Sequence, residues 1–459
     1  MQVCSVAEFL AHPPASDVCV RNNEVVSIDV LRTEIFSLRE QILQHDINQW
    51  ILSAEDSWQF AKGFFALLAA GKSAVLPPNN QVGAIENILT TDTGLISTCD
   101  RLTRNWIDIN QTTSGRVQPP EINIDPESQY IDLWTSGSSG EPKLIHKKLS
   151  CFEEEVECIE QLWGGDLQKG LIVSSVSHLH IYGILFRVLW PILTGRLFVI
   201  EDIEYPEHIV AMLESDSTAV FVSSPAFLKR MVSVELPALN ELGVKQVFSS
   251  GGPLEYETAK TFNDLHGIYP NEVFGSTETG GIAHRQQQES NTPWQPMSQL
   301  QLREREGVLE LKSPFCFSEG WYQTSDRVQL FADGRFQLLG RADRIIKLEE
   351  KKVSLDQMEN LLQQSPLVEM AKVVLLEGHR TMLGVIAVLT ERGQDVLEEN
   401  GRLELSNQLK SHLKQIFEPV TLPRKWRYID AFQYNQQGKI PMQTLLDHFK
   451  VTQGDEQTS

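Results

Sequence analysis

The chain has 459 residues, more than a single hydrophobic core normally organises, so two or three domains are expected. Its 41% hydrophobic and 22% charged content is that of a soluble globular protein. A formal net charge of −21 and a pI near 5.0 argue against a broad nucleic-acid or anionic-membrane surface, so any polyanion site must be a local positive island helped by a divalent cation. Six cysteines (Cys4, Cys19, Cys99, Cys151, Cys158 and Cys316) show neither Cys-x-x-Cys spacing nor a zinc-like Cys/His cluster, which points to reduced thiols in a reducing compartment. Residues 1–15 lack the basic start and long apolar run of a signal peptide, so the cytoplasm is the expected location.

In chain order, IFSLREQIL and FAKGFFALLAAG carry helical periodicity, the second stopped at Gly71. SAVLPP follows as a short buried strand, and residues 101–128 are polar enough to read as a loop. The apolar stretch GILFRVLWPILTGRLFVI is broken by Arg187, Pro191 and Arg196, and so is not a membrane span. LIVSSV, GRLFVIED, TAVFVSSP and KQVFSSGG read as strands, alternating with the helical FLKRMVSV and LEYETAKTFNDL. That alternation predicts a largely parallel sheet with crossover helices. From about 295 to 342 the pattern turns to short strands with an Asp-Gly hairpin signal, predicting a small β-barrel-like part. From 343 to 459 helices and strands mix again, as expected of a small α+β domain. The fold expected is α/β: a large domain over 1–342 and a small mobile one over 343–459.

The run LWTSGSSGEPK at 133–143 sets hydroxyls and two glycines before a lysine. Glycines let backbone N–H groups converge on an anion, and the lysine adds charge. The spacing differs from the common nucleoside-triphosphate loop. A flexible Ser/Gly linker is the alternative, and it fits poorly after the strand-like YIDLW. Further on, VFSSGGPLEY ends a strand in Ser250-Gly251-Gly252, a ligand-binding sheet edge or an ordinary strand–helix turn. VFGSTETGG offers Phe274 as a flat face, Gly275 for close approach, and oxygens of Thr277 and Glu278 suited to magnesium; a polar turn is the alternative. Asp326, in YQTSDRVQL, is either a ribose acceptor or a turn cap. Arg341, in LLGRADRIIK, suits phosphate or ribose, and NQQGKIP presents Lys439 after Gly438.

Taken in order, these segments resemble the signature of the adenylate-forming (AMP-binding) superfamily, which includes acyl-CoA synthetases, peptide-synthetase adenylation domains and luciferases. Residues 133–143 resemble [YF]-T-S-G-[ST]-T-G-x-P-K-G; Phe274–Glu278 resemble Y-G-x-T-E; Tyr322–Asp326 resemble Y-x-T-G-D; Gly340–Lys347 resemble G-R-x-D-x-x-I-K; Asn435–Lys439 resemble the stretch around the family's catalytic lysine. The resemblance spans about residues 130–440.

It implies that a carboxylic acid is joined to AMP from ATP, with release of pyrophosphate, and that the acyl group then passes to a thiol. By that resemblance Thr135, Ser136, Gly137, Ser138, Ser139, Gly140 and Lys143 grip the β- and γ-phosphates, and Glu278 binds Mg2+. Thr277 meets the α-phosphate; Gly251, Gly252 and Phe274 shape the adenine slot, with Gly275 a further nucleotide contact; Asp326 takes the ribose, with Arg341 nearby. Lys439 bridges carboxylate and α-phosphate, and Asp343 is the hinge about which the small domain turns. His180, in an H-x-x-G segment, gates an acid pocket containing Ser224, Ser250, Gly280 and Gly281; His178 is the competing candidate, and Tyr182 reads as core.

Trp134, Ser139, Leu144 and Ser325 depart from the family pattern, and Glu350 stands where a glycine would admit a pantetheine arm. A glutamate there puts ordinary CoA transfer in doubt, since CoA is itself anionic, unless the loop runs differently; together with the lean architecture it motivates an acyl carrier protein's phosphopantetheine over free CoA, as in the stand-alone ligases that prime polyketide-like or aryl-polyene pathways. Lys147 and Lys148 are two readings at once: a carrier-protein contact or a solvated helix start. A degenerate AMP-binding regulator is the non-enzymatic alternative. The acid expected is aryl or acyl.

Overall fold

The computed structural model describes residues 2–98, 102–111, 122–136, 142–165, 167, 169–213, 218–348, 351–376, 381–434 and 440–450. Gly137, Ser138, Ser139, Gly140, Glu350 and Lys439 lie outside these residues.

Two large sheets dominate the first 300 residues. One runs Gln295–Pro296, Gly280–Arg285, Asn271–Ser276, Val244–Ser249, Ala219–Ser223, Leu171–Ser174, Phe198–Val199, Asp17–Arg21, Glu24–Ser27, with its central strands parallel. The other runs Trp106–Asp108, Thr93–Ser97, Gln49–Leu52, Ser73–Leu76, Tyr130–Ser136, Pro142–Lys148, parallel except for its last pair. The strand Trp106–Asp108 corrects the reading of 101–128 as loop throughout: its inward alternation is only Ile107 and Ile109, too short a signal to stand out among polar residues.

The helix Ser57–Ala69 is buried on nearly every face and packs with residues of both sheets, among them Trp50 and Leu52 from one, Ile172 and Phe248 from the other. A helix apolar all round must lie inside, and this one cements the two layers. The interrupted apolar stretch is core as well. Arg196 is fully buried and forked onto Glu160 at 2.6 and 3.0 Å; Arg187, also buried, pairs with Asp202 and donates to the Val176 and Ile200 carbonyls. Buried guanidinium charges need such carboxylate and carbonyl partners. Among the described residues no helix is long and apolar enough to cross a membrane.

After residue 300 an antiparallel sheet of Gln301–Arg305, Val308–Lys312, Tyr322–Leu330 and Phe336–Arg341 closes on its own core of Leu309, Leu311, Val328, Phe336 and Trp294. Gly334, at φ +86°, makes the hairpin turn. Beyond Arg341 a separate core forms from Val353, Met358, Leu362, Val373, Val385, Leu405 and Leu409. It is built from the hairpin Ile345–Leu348 with Lys351–Ser354, the sheet Val368–Leu376, Met382–Leu389 and Lys425–Tyr428, and two main helices. Leu355–Gln363 is one. Glu391–Leu413 is the other, and Gly401 at φ +80° interrupts it. These are the parts expected of an α/β fold with a barrel-like section and a small α+β unit.

Candidate active site

The cleft opens where parallel strands of both large sheets end. Leu171–Ser174, Ala219–Ser223 and Val244–Ser249 run together and deliver Ser175, Ser224, Ser250 and Gly251, while Tyr130–Ser136 brings Trp134 and Thr135 from the other sheet. Loops leaving the carboxyl ends of such strands are where α/β folds hold ligands. The space, its mouth open to solvent, is also lined by Leu76, Leu185, Tyr182, Gly183 and Glu155.

Of the residues named from sequence, Thr135, His180, Ser224, Ser250, Gly251, Gly275, Thr277, Gly280 and Gly281 meet in this one cleft. Ser136 ends its strand opposite Pro142. Gly252 sits beside Gly251, exposed and outside the lining. Phe274 also lies outside it. The ring is half-buried, packed 5.4 Å from Trp294 and 6.2 Å from Phe336.

His180, not His178, faces the cleft. His178 is buried, with Nε2 3.0 Å from the Ala54 carbonyl oxygen, and burial with the nearby Arg187 charge pushes its imidazole down to about 4. Tyr182 does both things: it lines the cleft and packs its ring 4.9 Å from Phe186.

At the rim, the Lys143 ammonium donates to Glu278 at 3.1 Å, joining positions 135 residues apart. Burial alone would raise the Glu278 carboxyl, but its own backbone N–H and Lys143 prevail and hold it below the usual carboxylate range. A single carboxylate is sufficient protein for a magnesium ion that takes most of its ligands from nucleotide phosphates and water.

Asp326 is more than half-buried, and desolvation lifts its carboxyl against the pull of Arg341, 3.8 Å away. Arg341 itself is forked onto Asp343 at 2.9 and 2.6 Å, so the ribose and hinge candidates form one charge cluster. Asp343 lies in the turn Ala342–Arg344, immediately after the last strand of the antiparallel sheet.

The carrier-contact and helix-start readings of Lys147 are both overturned. In the strand Pro142–Lys148 alternate side chains turn inward, and Lys147 is fully buried, donating to the Thr277 carbonyl at 3.2 Å. Desolvation lowers its ammonium. Lys148 ends the strand tied to Glu127 and Glu319, each at 3.1 Å.

Glu155 was missed. It is 3% exposed, accepts from the Gly281 N–H at 2.6 Å, and is pushed up by burial. The sequence carries its signal: in the helix Leu149–Trp163 it stands on the stripe of Phe152, Val156 and Ile159, where an apolar residue belongs.

The chain resembles known proteins in sequence and in fold. The chain is 22% identical over 392 residues to 4-hydroxybutyrate–CoA ligase 1 of Metallosphaera sedula, covering 73% of this chain but only 65% of that relative, under two thirds of its length. It is 26% identical over 416 residues to the D-alanine–D-alanyl carrier protein ligase of Staphylococcus haemolyticus, covering 81% and 82%. The fold superposes on ATP-bound MatB from Rhodopseudomonas palustris with a TM-score of 0.79 at 14% identity, over 98% of this chain and 99% of the other. The profile of the AMP-binding enzyme family matches residues 66–301, just over half of the sequence, and with the cleft at the centre of that stretch the chain belongs to the AMP-binding enzyme family.

Proposed function

We propose that the protein activates a carboxylic acid with ATP, forming an acyl adenylate and pyrophosphate, and then passes the acyl group to a thiol. The observation that carries this reading is the Lys143–Glu278 contact beside Thr277: a phosphate-seeking cation and a metal-seeking carboxylate meet at the rim of a cleft large enough for an acid. Both reactants are anions, so the protein's task is alignment and charge compensation. Lys143 and the loop 135–140 hold the leaving β- and γ-phosphates. Glu278 holds magnesium, which supplies neutralising charge to the triphosphate when bound. Thr277 orients the α-phosphate. Gly251, Gly252 and Phe274 flank the adenine, and Asp326 with Arg341 takes the ribose. His180, Ser224, Ser250, Gly280 and Gly281 border the acid. Lys439 is assigned the bridging charge between carboxylate and α-phosphate.

In this reading residues 1–342 form the nucleotide-binding domain and 343–459 a lid that turns at Asp343 between the two half-reactions. For the acceptor, the phosphopantetheine of a carrier protein is preferred. Glu350 motivates that choice, and a carrier-protein ligase among the relatives favours it. Free CoA is the second reading, favoured by the CoA-ligase relative. Aryl and acyl acids both remain in the proposal. Loading assays decide the acceptor: transfer to holo-carrier protein is expected, and ready transfer to CoA with none to carrier protein would overturn the preference. Absence of acid-dependent ATP–pyrophosphate exchange across a broad acid panel would revive the regulator alternative.

A further inference from the structure

Glu155 is a buried acidic side chain of the cleft to which the reaction above gives no work. Its carboxylate is 3% exposed and lines the cleft beside Gly280 and Gly281. One oxygen, Oε1, accepts from the Gly281 N–H at 2.6 Å; the other, Oε2, has no hydrogen-bond partner among the described residues. A buried carboxyl oxygen left without a partner is costly, and it stays in a fold when something else satisfies it. The neighbourhood is built around it: a Cβ on Gly280 would lie 2.5 Å from Oε2, and Gly280 also needs its φ of +67°, so only glycine leaves this carboxylate where it is.

Lys147 supplies the counter-charge from behind. It is fully buried, interacts electrostatically with Glu155, and spends its hydrogen bond on the Thr277 carbonyl at 3.2 Å. The pair is thus close to neutral before a substrate arrives. A protonated amine would bring in an uncompensated charge, whereas a neutral hydroxyl would satisfy Oε2 and add none.

We propose that Glu155 is a specificity-determining residue that accepts a hydrogen bond from a hydroxyl on the carboxylic acid, at a position away from the carboxylate being activated. This rests on the proposed adenylation. The substrate class that follows is a hydroxy acid rather than a plain fatty, aryl or amino acid. A site built to bond a hydroxyl rejects the analogue lacking it because a buried polar group is then left unpaired.

The test is ATP–pyrophosphate exchange by the full chain with matched acids: 4-hydroxybenzoate, benzoate and 4-(aminomethyl)benzoate, whose alkyl amine is protonated at neutral pH, and 4-hydroxybutyrate, butyrate and 4-aminobutyrate. In at least one set the hydroxy acid is expected to exceed both partners by about tenfold or more in kcat/KM, the scale of a hydrogen bond to a charged group. Glu155→Gln, which presents an N–H where Oε2 stood, should bring that ratio close to one. Exchange in the wild type with no hydroxyl preference, or with the amine preferred, would overturn the inference while leaving adenylation standing, and so would an undiminished ratio in Glu155→Gln. No exchange with any acid would instead overturn adenylation itself. Folding is checked by the melting shift with ATP. Should Glu155→Gln fail to fold, the double variant Glu155→Gln/Lys147→Met removes both buried charges and is read by the same ratio, and the wild-type ratio decides if neither variant folds.

Discussion

Glu278 and Lys143 are separated by most of a domain in sequence and by one hydrogen bond in space. Because the Glu278 carboxyl sits below its ordinary range, it is ionised throughout the neutral range and ready for a cation. Glu278→Gln keeps the shape and removes the charge. Exchange should fall about a hundredfold, the scale of losing one preorganised electrostatic group, and the magnesium requirement should rise. Steady-state kinetics against magnesium concentration checks both.

His178 makes a second prediction, about stability. Its folded imidazole titrates near 4 against 6.5 for the free side chain, so between those values the unfolded chain binds the extra proton. The stabilising contribution is complete above pH 6.5 and is lost as pH falls towards 4, about 3 kcal/mol in all. Urea unfolding of the wild type and His178→Gln from pH 7 to 4 should show the variant's curve flatter over that window. Parallel curves would contradict the assignment.

Residue-level reading from sequence singled out Thr277, which lines the cleft, and Lys143 and Glu278, which meet across 135 residues of sequence. It failed for Lys147 and Glu155, because a charged letter reads as surface unless its place on a strand or helix face is weighed first.

At the scale of elements, the loops after the strands do the positioning, and glycine decides how closely they approach. A Cβ on Gly275 would run into the Gly280 carbonyl oxygen across the antiparallel pair Asn271–Ser276 and Gly280–Arg285. Gly252 has open space around it and no positive φ. Gly275→Ala should therefore cost about 1–3 kcal/mol of stability by overpacking, and Gly252→Ala almost none. Thermal and urea unfolding of both variants compares them directly, and equal losses would refute the distinction.

The strong helices were legible because their periodicity is long: Ser57–Ala69 and Tyr256–His266 appear where the pattern put them. GRLFVIED shrank to the strand Phe198–Val199, since Arg196 is drawn into the core by Glu160 and the chain turns away soon after Val199. The wide helical turn at Ile184–Leu189 had no signal that periodicity could register.

At the scale of the molecule, the separate core beyond Arg341 is what would let a lid turn as a unit. The Asp343 turn is pinned by Arg341, while Asp356 of the following helix accepts the Arg341 N–H at 2.8 Å and pairs with Arg344 at 3.0 Å. Farther off, Lys229 on the helix Pro225–Met231 reaches Glu369 on the strand Val368–Leu376 at 3.1 Å. This exposed pair contributes little energy, so it is a marker of one arrangement rather than a lock. If the lid turns, cysteines at 229 and 369 joined by a short bifunctional maleimide should leave one half-reaction near wild-type rate and suppress the other at least about tenfold. Equal effects on exchange and thiol transfer would argue against rotation.

The overall α/β plan was readable because alternating strand and helix patterns are a whole-chain property, robust to local error. Contacts such as Lys229–Glu369 were not readable, since they depend on how separately folded units meet.

The most direct measurement is acid-dependent ATP–pyrophosphate exchange by the wild type and Lys439→Ala, with ATP binding followed alongside. Adenylation assisted by Lys439 requires exchange in the wild type on adding a suitable acid, a fall of at least about a hundredfold in the variant, and ATP binding retained in both. Equal exchange in the two proteins, or none in the wild type with any acid, would contradict it.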